Sequence, residues 1–225
     1  MFAPETQSRA ETAAFLQDNY PGLDSGSVAA VLDDGYLQLP VASTTRAAWF
    51  TTAALAYGET TFVCPSHMIA ECVNVRSSSS DANATRSNAT KSNSNSTNST
   101  DGPQPQTWMY RYNVANVPDI ARGVGIPHGA QGPMSFGTAG VAGPTSYRTY
   151  NAPMVPLGMH YYASFVRALD PNVHRLEGAP AWLPWMPRTR QRLVFELGST
   201  RMETVSADES KRCALWEGVA QLARQ

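Results

Sequence analysis

The residues with the most chemistry in this 225-residue sequence are four histidines, three cysteines and the serines that lie near glycine. His128 stands in GVGIPHGAQGPMSFG (123–137), a glycine- and proline-rich loop that follows TWMYRYNV, a run that reads as a strand. An imidazole titrates near neutrality, so a turn that holds one at the mouth of a strand can present a general base. By residue type alone His128 is either that base or an ordinary turn histidine. His67 reads as a helix residue, His160 as a helix residue beside Tyr161, and His174 as a loop residue after a turn.

A nucleophilic serine on a strained turn needs small residues two before and two after it. Ser135 has Gly137 after it but Pro133 before it, and Ser25 and Ser27 fail as well. The sequence therefore contains no nucleophile elbow. Cys64, His67 and Cys72 are spaced like part of a metal site, but no second pair of ligands accompanies them, so no metal is expected. No glycine-rich phosphate cradle is present and no cofactor is expected. Cys64 and Cys72 are close enough in sequence to bridge a short loop, which leaves Cys213 to pair outside this stretch; three buried thiols are the alternative. Asn83, Asn88, Asn95 and Asn98 each begin an N-x-S/T sequon, the mark of a secretory compartment, although a Ser/Asn/Thr tract also generates sequons by chance.

Those residues must be positioned by something. Ser8 and Glu11 have capping-box spacing at the start of SRAETAAFLQDNYPG, a short helix that Pro21-Gly22 ends. SGSVAAVLDDGY holds a second helix, and TTRAAWFTTAALAYG a third, with Gly58 suited to its C-terminal cap. TTFVCP and MIAECVNV lean to helix. PMVPLGMHYYASFVRAL carries Leu157, Tyr161, Phe165 and Leu169 as one apolar stripe. PAWLPWMP is irregular, with its tryptophans expected on the surface of the core. QRLVFEL is a strand, and the last helix opens on a Ser206/Glu209 box with Leu215, Val219 and Leu222 on one face. Between these elements, residues 77–102 hold no aromatic, Leu, Ile or Val, and read as a disordered insertion in a single partial domain spanning 1–225. Several helices and few strands, all late in the chain, imply an α/β fold whose central sheet is incomplete.

Seventeen basic against eighteen acidic residues give no field to attract nucleic acid. No apolar run is long enough for a membrane span, and the N-terminus shows no signal peptide.

The runs WMYRYNV, GIPHGAQGPMSFG, NAPMVPLGMHYYASFVRALDPN and RLVFELGSTRMETVSADESKRC, with FLQDNYP and TFVCP before them, resemble the C-terminal part of fungal type-B carboxylesterases. These form the lipase- and cholinesterase-like branch of the α/β-hydrolases. The resemblance covers nearly the whole chain apart from the Ser/Asn tract. It implies that His128 is the triad histidine, and that the nucleophilic serine, the oxyanion-hole glycines and the acid belong upstream. Met1 falls a few residues past the acid, and neither Glu5 nor Glu11 fits its place. Relatives carry a carboxylate three residues after the histidine, where this chain has Gln131. The expected function is a carboxylic ester hydrolase fragment, extracellular by resemblance and inactive alone. It would meet its ester substrate only when completed by the upstream part of the domain. The alternative is a non-catalytic, glycosylated interaction module of the same ancestry.

Overall fold

Side-chain caps begin the first two helices, α1 (Arg9–Asn19) and α2 (Ser25–Gly35), in this computed structural model, which describes residues 3–36, 39, 46–73, 106–137 and 143–223. The 77–102 tract and its four sequons lie outside the described residues. Ser8 Oγ accepts from the Glu11 N–H at 3.2 Å, and Asp24 Oδ1 from the Ser27 N–H at 2.7 Å. The Glu11 carboxylate reaches back to the Gln7 N–H at 2.7 Å, closing the expected box one residue further out.

The third helix, α3 (Phe50–Gly58), does not end at Gly58 as expected. That glycine keeps helical angles, φ −64° and ψ −40°, and the chain widens into a π-turn over Glu59–Val63. The Cys64 N–H bonds to the Glu59 carbonyl, five residues back, and helix α4 continues over residues 64–73. The helix runs on because its polar side chains find buried partners. Arg212 clasps the Glu59 carboxylate at 2.7 and 2.8 Å, the Tyr36 hydroxyl donates to it, and Thr60 donates to the Ala56 carbonyl at 2.8 Å. The helical reading of TTFVCP and MIAECVNV holds as far as residue 73.

The sheet has three strands, β1 (Tyr110–Tyr112), β2 (Gln191–Phe195) and β3 (Arg201–Thr204), in the order β1-β2-β3. β1 runs parallel to β2, and β3 antiparallel to it. The small mixed sheet among many helices agrees with the expectation of a partial α/β fold. RMET has no apolar alternation to mark β3; a tight turn with Gly198 at φ 70° folds it back onto β2. The register, with alternation along each strand, places Tyr110, Leu193, Phe195 and Met202 on one face and Arg111, Arg192 and Glu203 on the other.

The apolar face packs against α7 (Met154–Ala168), between them enclosing Tyr161, Trp182, Leu193 and Phe195. Leu157 and Tyr161 of the stripe expected from spacing pack on this core, but Phe165 and Leu169 are exposed, and Met154, Gly158 and Ser164 complete the buried side of α7. Each strict step of four residues overshoots a helical turn by about 40°, so such a stripe winds away from a flat neighbour. Before α7 come α5 (Val117–Ala121), α6 (Gly132–Phe136) and a 3₁₀ turn over Thr145–Arg148. α6 lies so close to α7 that a Cβ on Gly158 would meet Met134 Cγ at 2.3 Å and its carbonyl oxygen at 2.9 Å. Only glycine fits there.

Two further expectations are corrected. Trp182 and Trp185 are buried rather than laid on the surface of the core, because the irregular segment carrying them is stitched to the β1 side. The Trp185 N–H donates to the Thr107 carbonyl at 2.7 Å and the Trp182 indole to the Met109 carbonyl at 2.9 Å. The disulfide joins Cys64 to Cys213 of α8 (Ala207–Ala223), with Cα atoms 5.1 Å apart, and Cys72 is free and exposed. Cys64 and Cys72 share a straight helix, where eight residues separate Cα atoms by about 12 Å, twice what a disulfide spans. α8 starts as expected, its Glu209 N–H donating to Ser206 Oγ at 3.1 Å. Cys213 and Trp216 are its buried residues, Leu215 and Val219 pack on the helical core, and Leu222 is exposed.

Candidate active site

His128 sits on a tight turn whose residue types fit its geometry. Pro127 precedes it, Gly129 follows with φ 82°, and the Ala130 N–H closes on the Pro127 carbonyl at 3.2 Å. A positive φ at the third position of such a turn favours glycine. The turn is then pinned from two sides. The Ala130 carbonyl accepts from the Tyr147 hydroxyl at 3.0 Å and from the Tyr112 hydroxyl, more weakly, at 3.4 Å. Tyr112 ends β1, so the imidazole is held in register with the carboxyl end of that strand, the side where open α/β sheets gather their active sites. Burial of Tyr147 pushes its hydroxyl up to about 12, which keeps it a neutral donor.

The imidazole is exposed and lines a cleft of about 770 Å³. Phe62, Trp108, Tyr110, Tyr112 and Ile126 make much of its wall apolar, and β1 forms one edge of it. Phe62 comes from the π-turn and lies face-on to His128, with ring centroids 4.1 Å apart and planes 11° from parallel. Gln131, three residues on, also lines the cleft.

An ionic ladder runs along one side. On the polar face of the sheet, Glu203 binds Arg111 at 2.7 and 2.8 Å and Arg192 at 2.8 Å. Arg192 in turn grips Glu209 of α8 at 2.6 and 2.7 Å. The two guanidinium groups, Arg111 first, hold the Glu203 carboxyl down to about 2. His67, dismissed from the sequence as an unremarkable helix residue, is buried beside this ladder. Its Nε2 lies 3.4 Å from Glu209 Oε1, and its Nδ1 lies 3.4 Å from an Arg190 nitrogen. Arginine can only donate, so Nδ1 accepts and the proton resides on Nε2, facing Glu209. Burial, reinforced by Arg192 and Arg190 and opposed by Glu209, pushes His67 down to about 4. It is therefore neutral at pH 7 and forms no ion pair with Glu209. Nothing in the spacing of His67 signals this setting, which depends on the Cys64–Cys213 tie drawing α4 and α8 together.

His160 and His174 lie together elsewhere, the His160 ring bonding to the His174 carbonyl at 3.1 Å. Among the described residues no group of three His, Cys, Asp or Glu side chains is arranged to hold a metal ion. Cys64 is committed to its disulfide, which removes it as a ligand. No helix among the described residues is long and apolar enough to cross a membrane.

No family model and no curated protein matches the sequence. Solved structures do match. The whole chain is similar to Aspergillus niger EstA, a type-B carboxylesterase of the cholinesterase-like branch, with 30% sequence identity and a TM-score of 0.78. It spans 38% of that protein's length. The likeness drawn from separate sequence motifs thus extends to the path of the backbone, and over its whole length this chain is similar to the C-terminal part of a cholinesterase-like, fungal type-B carboxylesterase.

Proposed function

We propose that this chain is the portion of a carboxylic ester hydrolase that supplies the triad histidine, His128, and that a separate stretch of polypeptide supplies the serine, the acid and the oxyanion hole. The observation that carries the reading is the pinned Pro127–Ala130 turn, which aims one imidazole into a largely apolar cleft beyond the end of β1. An imidazole held there takes the proton of a serine hydroxyl as it attacks the ester carbonyl, then delivers it to the departing alcohol. Three polar side chains of the cleft have other work. Ser66 donates to the Phe62 carbonyl at 2.7 Å, and the Glu59 and Glu209 carboxylates are clasped by Arg212 and Arg192. They are thereby not free to act as nucleophile or acid, so an ester substrate would be turned over only after the domain is completed. The disulfide and the sequons at Asn83, Asn88, Asn95 and Asn98 support an extracellular setting.

The chain alone is expected to hydrolyse neither p-nitrophenyl acetate nor p-nitrophenyl butyrate above background. Co-expression with the upstream part of a related esterase should restore turnover, and His128→Ala should reduce it again by several orders of magnitude. Turnover by the isolated chain that disappears in His128→Ala would overturn the division of labour proposed here.

A further inference from the structure

We propose that Phe62 is a positioning residue that fixes the plane of the His128 imidazole. The inference rests on the reading of His128 as a base, but its geometry stands apart from any turnover. The two rings overlap at 4.1 Å and 11°, closer and flatter than the other aromatic contacts among the described residues, whose centroids lie 5.3 Å or more apart. Phe62 belongs to none of the three apolar clusters that make up the core, whereas its neighbour Val63 packs into the helical one. Its ring is therefore spent on the cleft.

The local backbone explains how it gets there. A π-turn inserts one residue into the helical ladder, so side chains beyond it rotate relative to those before it. Glu59 and Thr60 stay buried, Cys64 turns inward to Cys213, and Phe62 is carried to the cleft wall. Such turns recur at functional sites because they re-aim a side chain without breaking the helix. An aromatic face against an imidazole does two things. It removes the ring's freedom to rotate out of line with a reacting hydroxyl. It also places electron-rich π density against the ring at the moment it accepts a proton and becomes a cation.

The test is nuclear magnetic resonance of the full 225-residue chain labelled at histidine. In the native chain the His128 ring protons should lie upfield of those of the exposed His174, and should show Overhauser contacts to Phe62. Phe62→Leu should abolish the upfield displacement, and Phe62→Tyr should keep it, with the Trp185 indole signal unmoved as the check on folding. Native His128 signals without displacement or contact, or displacement that survives in Phe62→Leu, overturns the proposal. The native contact decides the matter even if the leucine variant does not fold. In the assembled, active enzyme, Phe62→Leu should lower kcat about tenfold while leaving KM within about twofold. An unchanged kcat also overturns it. Absence of turnover in the assembled native protein, with the ring displacement intact, removes the hydrolase reading and leaves the positioning contact standing.

Discussion

The molecule is built from two regions that solve the same problem with different materials. In the helical region, α1, α2, the long α3–α4 helix and α8 enclose an aliphatic core of Leu16, Val28, Val31 and Leu32, with Tyr36 and Trp216 at one side. There the chemistry is covalent and ionic, with the Cys64–Cys213 bond and the Glu59–Arg212 clasp both joining α8 to the long helix. In the sheet region, the core is aromatic. Tyr110, Tyr161, Trp182 and Phe195 meet edge to face at centroid distances of 5.5 to 5.9 Å, and no covalent tie enters. A helix satisfies its own backbone, so its packing can be assembled from small apolar side chains and stapled afterwards. A three-stranded sheet leaves edges and faces to be covered, which calls for large rings. The candidate site lies on the seam, with Phe62 from the first region and His128 from the second.

Removing the staple tests that contrast hardest. Cys213→Ser frees a loop with a sequence separation of 149 residues, and chain entropy puts the loss near 5 kcal/mol. Native-state hydrogen exchange should show amides of α2 and α8 losing protection first. Equal loss in β2 would mean that the two regions unfold as one unit. On the other side, Trp182→Ala should cost about 4 kcal/mol by leaving a cavity among three rings and removing the indole's hydrogen bond to the Met109 carbonyl, which keeps the Leu193 N–H, with the loss read as a lowered denaturant midpoint.

A smaller effect acts at the seam. His67 is held neutral, down to about 4 against an ordinary 6.5, so the folded state binds fewer protons than the unfolded chain between those values. Its contribution is whole above pH 6.5, declines as the unfolded chain takes up its proton, and is gone below about pH 4, a loss on the order of 3 kcal/mol. Unfolding free energies measured across that range should fall on acidification, and His67→Gln should flatten the slope. Glu203 adds a second decline at lower pH. Its carboxyl is held near 2, so that stabilisation is present above 4.5 and lost as pH falls toward 2. A stability curve flat from pH 7 to 4 would deny that His67 is buried as described.

The sequence was most readable where local rules suffice. Ser8 and Ser206 begin helices because their side chains cap free N–H groups nearby, and those starts are visible as residue types. The turn that carries His128 was legible too, since Pro-His-Gly after a strand is a local pattern, while the role proposed for the ring rests on the motif resemblance. What escaped depends on distant partners. Gly58 looked like a cap, but the helix passes through it because Arg212, far along the chain, stabilises Glu59 just beyond. Cys72 looked like the near partner of Cys64, but helical geometry sends those two thiols apart and brings in Cys213 instead. Phe62 and His67 had no signal of their own, as each acquires its setting from the π-turn and from α8. The strand Arg201–Thr204 hid because its side chains form ion pairs across the sheet instead of an apolar stripe.

The bond between Cys64 and Cys213 also changes what sort of object this polypeptide is. Between those two residues the chain is a closed ring, and the long tract of Ser, Asn and Thr is part of that ring. A single break in the peptide backbone anywhere on that ring opens it without parting the molecule. α4 and α8 would still be joined, and only a reductant would let the pieces separate.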